Sequence, residues 1–493
     1  MEISALMRDS GVSFGTSGAR GLVTALTDWV AYAYTAGFLR YLNTAGLLTP
    51  GQAVGIAGDL RPSSPRVMVA CAVAIRDLGF QPVNCGTIPS PAVAAYGIAH
   101  GIPTLMVTGS HIPADRNGIK FNLPTGEILK ADEEGIRQQT VQRPAGYFAE
   151  NGQFLHDQHQ HLPAAEATAA QEYVARYLRF FPAHCLEGWR VGVYEHSSVA
   201  REAFVEVLTK LGAQVTRLGY APQFVPVDTE AIRPEDVALA QEWTANGAFD
   251  ALVSADGDGD RPLVSDADGN WLRGDVLGVL CAQQLGARGV VTPVSSNTVV
   301  EKCGLFQTVS RTRIGSPFVI AGMNDLLAAG IAPVVGYEAN GGVLLGSAIE
   351  RDGRQLDALP TRDALIVAVT VLAAAAAQRC TVAALAASLP QRFTASARLQ
   401  NVPTAQSLAL LAQLTAGDWA QQQATLAQFF GAEWGAVATI DLTDGLRMTF
   451  TSGEIVHLRP SGNAPELRVY SEADSAERAG RSCQLAIASC QQC

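Results

Sequence analysis

A chain of 493 residues exceeds what one hydrophobic core organises, so three or four domains are expected. Hydrophobic residues make up 48% of it and charged residues 16%, a balance that excludes a disordered chain. The net charge of -11 excludes a nucleic acid or an anionic membrane as the main partner, because both demand a basic face, whereas a small anion needs only local arginines.

In chain order, the first α/β unit begins with the apolar run "AVGIAG" (53–58), followed by "PRVMVACAVAIRDLGF" with its apolar residues at helical spacing. A short strand "QPVNCG", a helix through "PAVAAYGIAH" and a strand "TLMV" follow, delivering Ser110. Strand, helix, strand, helix, strand calls for a parallel sheet covered by helices. The order returns from Trp189: strand "WRVGVYE", helix "VAREAFVEVLTKLG", strand "AQVTRLG", helix "PEDVALAQEWTANG", and strand "FDALVSA" ending at Asp256. A third round starts near Asp275 with "DVLGVLCAQQLG" and "GVVTPVS", passes "RTRIG", and uses the helix "PFVIAGMNDLLAAG" and the strand "IAPVVG" to deliver Glu338. The last hundred residues change character: "TDG" (Thr443 to Gly445) separates two β-type runs and reads as a hairpin.

The expected fold class is therefore α/β, with three similar mixed or parallel-sheet α/β domains followed by a smaller α+β C-terminal domain around one central cleft. The domains are placed at 1–150, 168–268, 270–378 and 390–493, with linkers near 145–168, 265–275 and 375–395. In open parallel sheets ligands bind outside the carboxyl ends of the strands, where three polar, glycine-rich loops lie here. No apolar stretch of roughly eighteen residues and no signal-peptide pattern occurs, so a cytoplasmic protein is expected. Nine cysteines are scattered, and the one CxxC (Cys490 to Cys493) lacks a second pair; it reads as a terminus, and "HDQHQH" (His156, His159, His161) as a solvated linker.

The loop "SADGDGDRP" alternates Asp256, Asp258 and Asp260 with glycines, so three carboxylates can face one point. Such a cluster repels itself unless a hard divalent cation neutralises it. An EF-hand is excluded, because Arg261 stands where glycine is needed and Ala267 where glutamate is needed. A structural Asp-Gly turn is the bland alternative. In "VTGSHIPADRNGIKF", Thr108 and Ile112 occupy the glycine positions of a hydrolase elbow, so Ser110 is not read as an acyl-transfer nucleophile. A hydroxyl beside a metal can instead carry a phosphoryl group, with His111, Asn117 and Lys120 as donors around the charge; a capped turn is the alternative. "RPSGNAPELRVY" offers an arginine fork and a Ser-Gly-Asn turn suited to phosphate, and "GYEANGG" offers Glu338 and Asn340 to sugar hydroxyls. No Walker A loop and no G-x-G-x-x-G after a strand supports nucleotide binding.

Together and in this order, these loops resemble the α-D-phosphohexomutase superfamily of phosphomannomutases, phosphoglucomutases and phosphoglucosamine mutases, over nearly the whole chain. "FGTSGARG" is similar to the opening motif and ends in Arg20; "TGSHIPADRNGIKF" is similar to the phosphoserine loop, "DGDGDR" to the magnesium loop, "GYEANGG" to the sugar loop and "RPSGNAPELRVY" to the phosphate clamp. The resemblance implies that phosphorylated Ser110 gives its phosphoryl group to a hexose monophosphate. The resulting hexose 1,6-bisphosphate turns over and returns its other phosphate. It implies Mg2+ on Asp256, Asp258, Asp260 and the phosphoserine, and Arg20 and Lys120 as electrostatic and proton-handling partners. His111 would orient the phosphoserine, and Arg261, Arg313, Glu338, Asn340, Arg459, Ser461, Gly462 and Asn463 would bind substrate.

This chain departs from that pattern at Gly342, where several relatives carry histidine, at Asn340 in place of serine, and at Asn463-Ala464 in place of Thr-Glu. "TGSHIP" and "RPSGNAPE" look most like the phosphomannomutase branch, which implies mannose 6-phosphate and mannose 1-phosphate as substrates. Phosphoglucomutase or dual activity, phosphoglucosamine mutase, a phosphatase and a silent sugar-phosphate binder are the alternatives. The implied partners are small sugar phosphates, with no nucleic acid and no membrane, for a monomer or homodimer.

Overall fold

The computed structural model describes residues 1–15, 18–156, 161–431, 433–461 and 465–491. They divide into two compact units, one of Met1–Val290 with Gly315–Ala386 and one of Val291–Ile314 with Ala387–Cys493. Among the described residues no helix is long and apolar enough to cross a membrane. His159 of the histidine tract and Cys493 of the CxxC lie outside the described residues.

In the first unit, Ala53–Gly58 pairs in parallel with Gln81–Gly86 on one side and Thr104–Val107 on the other. Ala53–Gly58 and Thr104–Val107 are apolar and buried on both faces, as strands under two layers of helices must be, while Gln81–Gly86 at the edge is more polar and partly exposed. Antiparallel strands then extend the sheet: Arg116–Leu123 pairs with Thr104–Val107, and Ala19–Leu22 with Arg116–Leu123. The sheet is therefore mixed. The same holds for the second sheet, in which Arg190–His196 runs parallel to Gln214–Tyr220 and Ala251–Ala255, and Pro262–Val264 adds an antiparallel edge. In the third module the strands Val334–Tyr337, Val343–Leu345 and Leu359–Asp363 pair antiparallel, the latter two being strands that sequence reasoning did not identify, and the sheet falls within the expected mixed class. The reason for the antiparallel pairing is local: a short loop after Tyr337 returns the chain directly, and a two-strand turn cannot make a parallel crossover.

Three of these strands, Thr104–Val107, Ala251–Ala255 and Val334–Tyr337, release their chains at the carboxyl end into the loops of Ser110, Asp256 and Glu338. The helix Asp28–Thr44 packs on Ser64–Asp77 and is buried nearly all round. Its N-terminus is fixed by Thr27, whose hydroxyl accepts from the Val30 N–H at 3.3 Å.

The second unit contains a five-stranded antiparallel sheet in the order Phe393–Gln400, Glu466–Ala473, Ile455–Pro460, Leu446–Phe450, Val437–Asp441. Leu446, Met448 and Phe450 alternate inward and pack with Trp434, Leu458 and Val469. The stretch expected as a linker near 375–395 holds the end of the helix Ala364–Gln378 and the short helix Val382–Ala387.

Asp363 joins several of these elements at once. Its carboxylate caps the helix Ala364–Gln378 by accepting from the N–H groups of Leu365 (3.0 Å) and Ile366 (3.2 Å). It also accepts from the buried hydroxyls of Tyr173, at 2.8 Å, and Tyr177. Asp363→Ala is expected to remove the cap and strand two buried hydroxyls, costing about 2–4 kcal/mol. Scanning calorimetry checks this; an unchanged transition would refute the role.

Candidate active site

The loop after Thr104–Val107 is pinned by a buried ion pair. Arg61 Nε donates to Asp59 Oδ2 at 3.0 Å, while its terminal nitrogens donate to the carbonyls of Ser110 (2.7 Å) and Pro113 (3.0 Å). Asp59 also accepts from Ser64 Oγ (2.5 Å) and Thr108 Oγ1 (2.8 Å), and Thr108 Oγ1 accepts from the Ser110 N–H at 2.7 Å. A Cβ at Gly109 would lie 2.7 Å from the Arg61 guanidinium carbon, so only glycine fits. These bonds hold Ser110 at φ 56°, a left-handed conformation that costs a non-glycine residue about 1 kcal/mol or more. With its backbone fixed at both ends, the Ser110 hydroxyl is held at one place. It donates to Asp256 Oδ2 at 2.6 Å, and His111 Nδ1 lies 3.4 Å from it.

Asp256, Asp258 and Asp260 offer ligand oxygens within 4.8 Å of one another, and all three residues are buried. Asp258 Oδ2 accepts from Ser90 Oγ (2.7 Å) and Lys120 Nζ (2.6 Å). Asp260 Oδ2 accepts from Lys120 Nζ (2.6 Å) and from Arg362 (2.8 Å). Asp258 Oδ1 and Asp260 Oδ1 are buried without a hydrogen-bond partner. Buried acceptors are normally satisfied, so two orphaned anionic oxygens in one oxygen-only cluster fit a hard divalent cation.

The electrostatics sort the charges. Burial, reinforced by Asp258 and Asp260, pushes the Asp256 carboxyl well above the usual carboxylate range. Burial and Asp260 also push Asp258 upward, yet the ammonium and hydrogen bond of Lys120 hold it below its ordinary value. Against burial, Arg362, Lys120 and Arg261 hold Asp260 well below that value. Burial would lower Lys120, but Asp258 and Asp260 keep it above its ordinary value, so as placed it is a cation and a donor. Burial and then Arg261 lower Arg20 to about 10, which leaves it charged at neutral pH. Burial, with Arg261 and Arg20, drives His111 far down, so its imidazole is neutral.

In the loop after Val334–Tyr337, Asn340 holds the backbone: its side-chain oxygen accepts from the Gly342 N–H at 3.0 Å, and its carbonyl accepts from Thr229 Oγ1 at 2.7 Å. Glu338 Oε2 accepts from Arg362 at 2.8 Å. The room that a side chain at Gly342 would need is filled by the Arg362 stem.

In the second unit, Arg459 Nε donates to Asp444 Oδ2 at 2.8 Å, and Arg313 Nε donates to the Thr443 carbonyl at 3.1 Å. The tip of the expected "TDG" hairpin thus holds both arginines. Ser461 N–H donates to the Glu466 carbonyl at 2.8 Å. Gly462 and Asn463 lie outside the described residues.

The structure thus brings Ser110, His111, Lys120, Asp256, Asp258, Asp260 and Arg261 together in the first unit, with Arg20 in their field and Glu338 joined to them through Arg362. Arg313, Arg459 and Ser461 belong to the second unit. Asn117, expected as a donor to the phosphoryl group, instead donates to Ser63 Oγ and Ser64 Oγ and braces the loop. Sequence reasoning missed Arg61, Asp59, Ser90 and Arg362. A faint signal existed for Arg362: an arginine inside "LPTRDALIVAV", on the edge of an apolar helix, has to find buried partners.

The sequence matches the phosphoglucomutase/phosphomannomutase family in three parts: alpha/beta/alpha domain I over residues 11–145, alpha/beta/alpha domain III over 273–393, and the C-terminal domain over 401–488. It is 43% identical to a phosphomannomutase of Salmonella muenchen over 474 residues, covering 96% of this chain and 94% of that protein. It is also 43% identical to a phosphomannomutase of Sinorhizobium fredii over 469 residues, covering 95% of this chain and 96% of that protein. Its fold is similar to that of a phosphoglucomutase/phosphomannomutase family protein from Burkholderia thailandensis, with a TM-score of 0.70, 20% identity, and 97% of both chains covered. A more distant fold relative is an Aspergillus fumigatus N-acetylphosphoglucosamine mutase solved with GlcNAc-6P and magnesium. There the TM-score is 0.56 at 15% identity, with 100% of this chain and 99% of that chain covered.

The hairpin that holds the two arginines carries a pH sensitivity. His457 is 1% exposed, and its Nε2–H donates to the Asp444 carbonyl at 2.6 Å. Burial lowers its pKa from 6.5 to about 4, so the folded state requires the neutral ring. The unfolded chain takes up a proton first, so this stability is complete above pH 6.5 and is lost as pH falls towards 4, by up to about 3 kcal/mol. Denaturation of the wild type and of His457→Gln across this window checks the sign; equal pH slopes would refute it.

Proposed function

The chain belongs to the phosphoglucomutase/phosphomannomutase family, and from that premise we propose that it interconverts mannose 6-phosphate and mannose 1-phosphate through a phosphorylated Ser110. One observation carries the reading. Ser110 is buried and strained, and its hydroxyl lies against Asp256 inside a ring of cations, where a phosphoryl group would be desolvated and neutralised together. The mannose preference is supported by the 43% identity to two phosphomannomutases over nearly the full length of each.

In the forward half-reaction the bond between phosphorus and Ser110 Oγ breaks, and a bond from phosphorus to a sugar hydroxyl oxygen forms. The proton the sugar hydroxyl loses is, in net terms, the one Ser110 Oγ takes up, so Ser110 is left as the hydroxyl seen here. The reverse step on the other phosphate of the bisphosphorylated sugar restores phosphoserine. Arg20, Lys120 and Arg261 hold positive charge around the transferring group, and neutral His111 orients it. Asp256, Asp258 and Asp260 would hold magnesium, whose chemistry there is neutralisation of phosphoryl oxygens. Glu338 would accept from sugar hydroxyls through the oxygen that Arg362 leaves over, and Asn340 fixes its loop. On the second unit Arg459, Ser461, Gly462 and Asn463 would bind the phosphate not in transfer, with Arg313 beside them. We keep the domain limits 1–150, 168–268, 270–378 and 390–493 as part of this proposal.

The test follows conversion of mannose 1-phosphate and glucose 1-phosphate in parallel, with magnesium and a trace of hexose 1,6-bisphosphate as activator. A mannose preference is expected. Ser110→Ala should cost on the order of 10⁴-fold or more in kcat, as loss of a covalent nucleophile does. Arg459→Lys should raise KM about tenfold with a smaller change in kcat, because a lysine cannot make the arginine fork. Equal turnover of the two sugars would replace the mannose reading by dual specificity, and full activity of Ser110→Ala would sink the phosphoserine.

A further inference from the structure

Gly342 has no side chain, and the space this leaves is occupied. A Cβ there would lie 2.6 Å from Cδ of Arg362, 2.7 Å from its Cγ and 2.9 Å from its Cβ. Threaded over the glycine, the guanidinium reaches two carboxylates on two different loops. Its Nε and one terminal nitrogen donate to Asp260 Oδ2 at 3.1 and 2.8 Å, and the other terminal nitrogen donates to Glu338 Oε2 at 2.8 Å. Arg362 is 2% exposed, so water does not compete for these bonds.

Stability alone is a weak reason for such an arrangement. Desolvating a guanidinium and two carboxylates roughly cancels their attraction, and apolar residues of equal volume would hold the loops as well. What the arginine does supply is orientation. On Asp260 it joins Lys120 in occupying Oδ2, leaving Oδ1 as the buried oxygen without a hydrogen bond. On Glu338 it occupies Oε2. One planar group thus sets, together with Lys120, which oxygen Asp260 presents, occupies one oxygen of Glu338, and bridges the loop after Ala251–Ala255 and the loop after Val334–Tyr337.

We infer that Arg362 is a positioning residue that couples cation binding at Asp260 to sugar binding at Glu338, and that Gly342 is glycine to give it passage. The inference rests on the roles proposed above for those two carboxylates. Magnesium and sugar phosphate should then bind cooperatively, since each benefits from the geometry the other holds.

Two substitutions reach Arg362 from opposite sides. Arg362→Lys keeps the charge but cannot span both carboxylates, and Gly342→Ala keeps the arginine but displaces its stem. Calorimetric titration of each protein, in a Ser110→Ala background that removes turnover, with magnesium alone and then with mannose 1-phosphate in saturating magnesium, reads both affinities. Each variant is expected to weaken both affinities roughly tenfold or more, the range typical of residues that orient a metal ligand. In the double variant the two losses should fall short of multiplying, because both act through one guanidinium. A lower melting temperature with both affinities unchanged would make Arg362 a purely structural ion pair and overturn the inference. Loss of one affinity alone, or losses that multiply in full, would overturn the coupling. If Arg362→Lys fails to fold, Gly342→Ala still decides between these outcomes. A wild type that turns over neither sugar 1-phosphate would sink the proposed function instead, while its magnesium titration would still read this arm.

Discussion

Three carboxylates on one tight turn can share a dry space only if cations stand against them, and that requirement ties the first unit together. The cations do not come from the turn alone. Lys120 reaches Asp258 and Asp260 at 2.6 Å each from the strand Arg116–Leu123 of the first sheet, and Arg362 reaches Asp260 from the end of the strand Leu359–Asp363. Ser90 adds a backbone N–H, at 2.8 Å, to the Asp258 carbonyl and a hydroxyl to its carboxylate. Each of these elements is folded into its own apolar layer. The positions they take relative to one another are set by charges that cannot be left unpaired.

The same logic explains why the loops around Ser110 have so little freedom. An arginine beneath the loop, a glycine that makes room for it and a threonine that turns back onto the serine N–H together over-determine one unfavourable backbone angle. A side chain at Gly257 would meet the Ser110 carbonyl at 2.9 Å, so the carboxylate turn approaches the serine loop backbone to backbone. A hydroxyl held in this way loses little entropy when it reacts, and the surrounding cations need not reorganise as charge moves from one oxygen to another.

The parallel strands and their helices were legible in the sequence because each is a short apolar run followed by a run of helical period. The helix Asp28–Thr44 was not, since it is buried nearly all round and shows no one-sided stripe; Arg116–Leu123 was hidden by its polar residues, of which Lys120 reaches the aspartates while Asn117 and Asn122 are claimed by serine and threonine hydroxyls. Among the site residues, Ser110 and the three aspartates could be read because glycine-bounded loops carry them. Arg362 and Arg61 could not. Arg362 meets Asp260 across 102 positions and Arg61 meets Ser110 across 49, with nothing local to mark either meeting. Asn117 misled for the opposite reason: its neighbours suggested a ligand-facing amide, whereas two serine hydroxyls claim it.

The hairpin at Thr443 to Gly445 shows how a turn signal can conceal a supporting role. Read locally it reverses the chain, and Gly445 is needed there because φ is 92° and a Cβ would meet the Leu458 carbonyl at 2.3 Å. In the structure its tip is also an anchor. Asp444 takes Nε of Arg459 and the N–H of Ile314 (3.0 Å), and the neighbouring carbonyl takes Arg313. Asp444 takes Arg459 by its Nε, the inner nitrogen of the guanidinium, at 2.8 Å. A side chain proposed to bind a phosphate has to be held still before the ligand arrives. The antiparallel pairing of Ile455–Pro460 with its two neighbours fixes the backbone of Arg459, and Asp444 fixes its side chain through Nε.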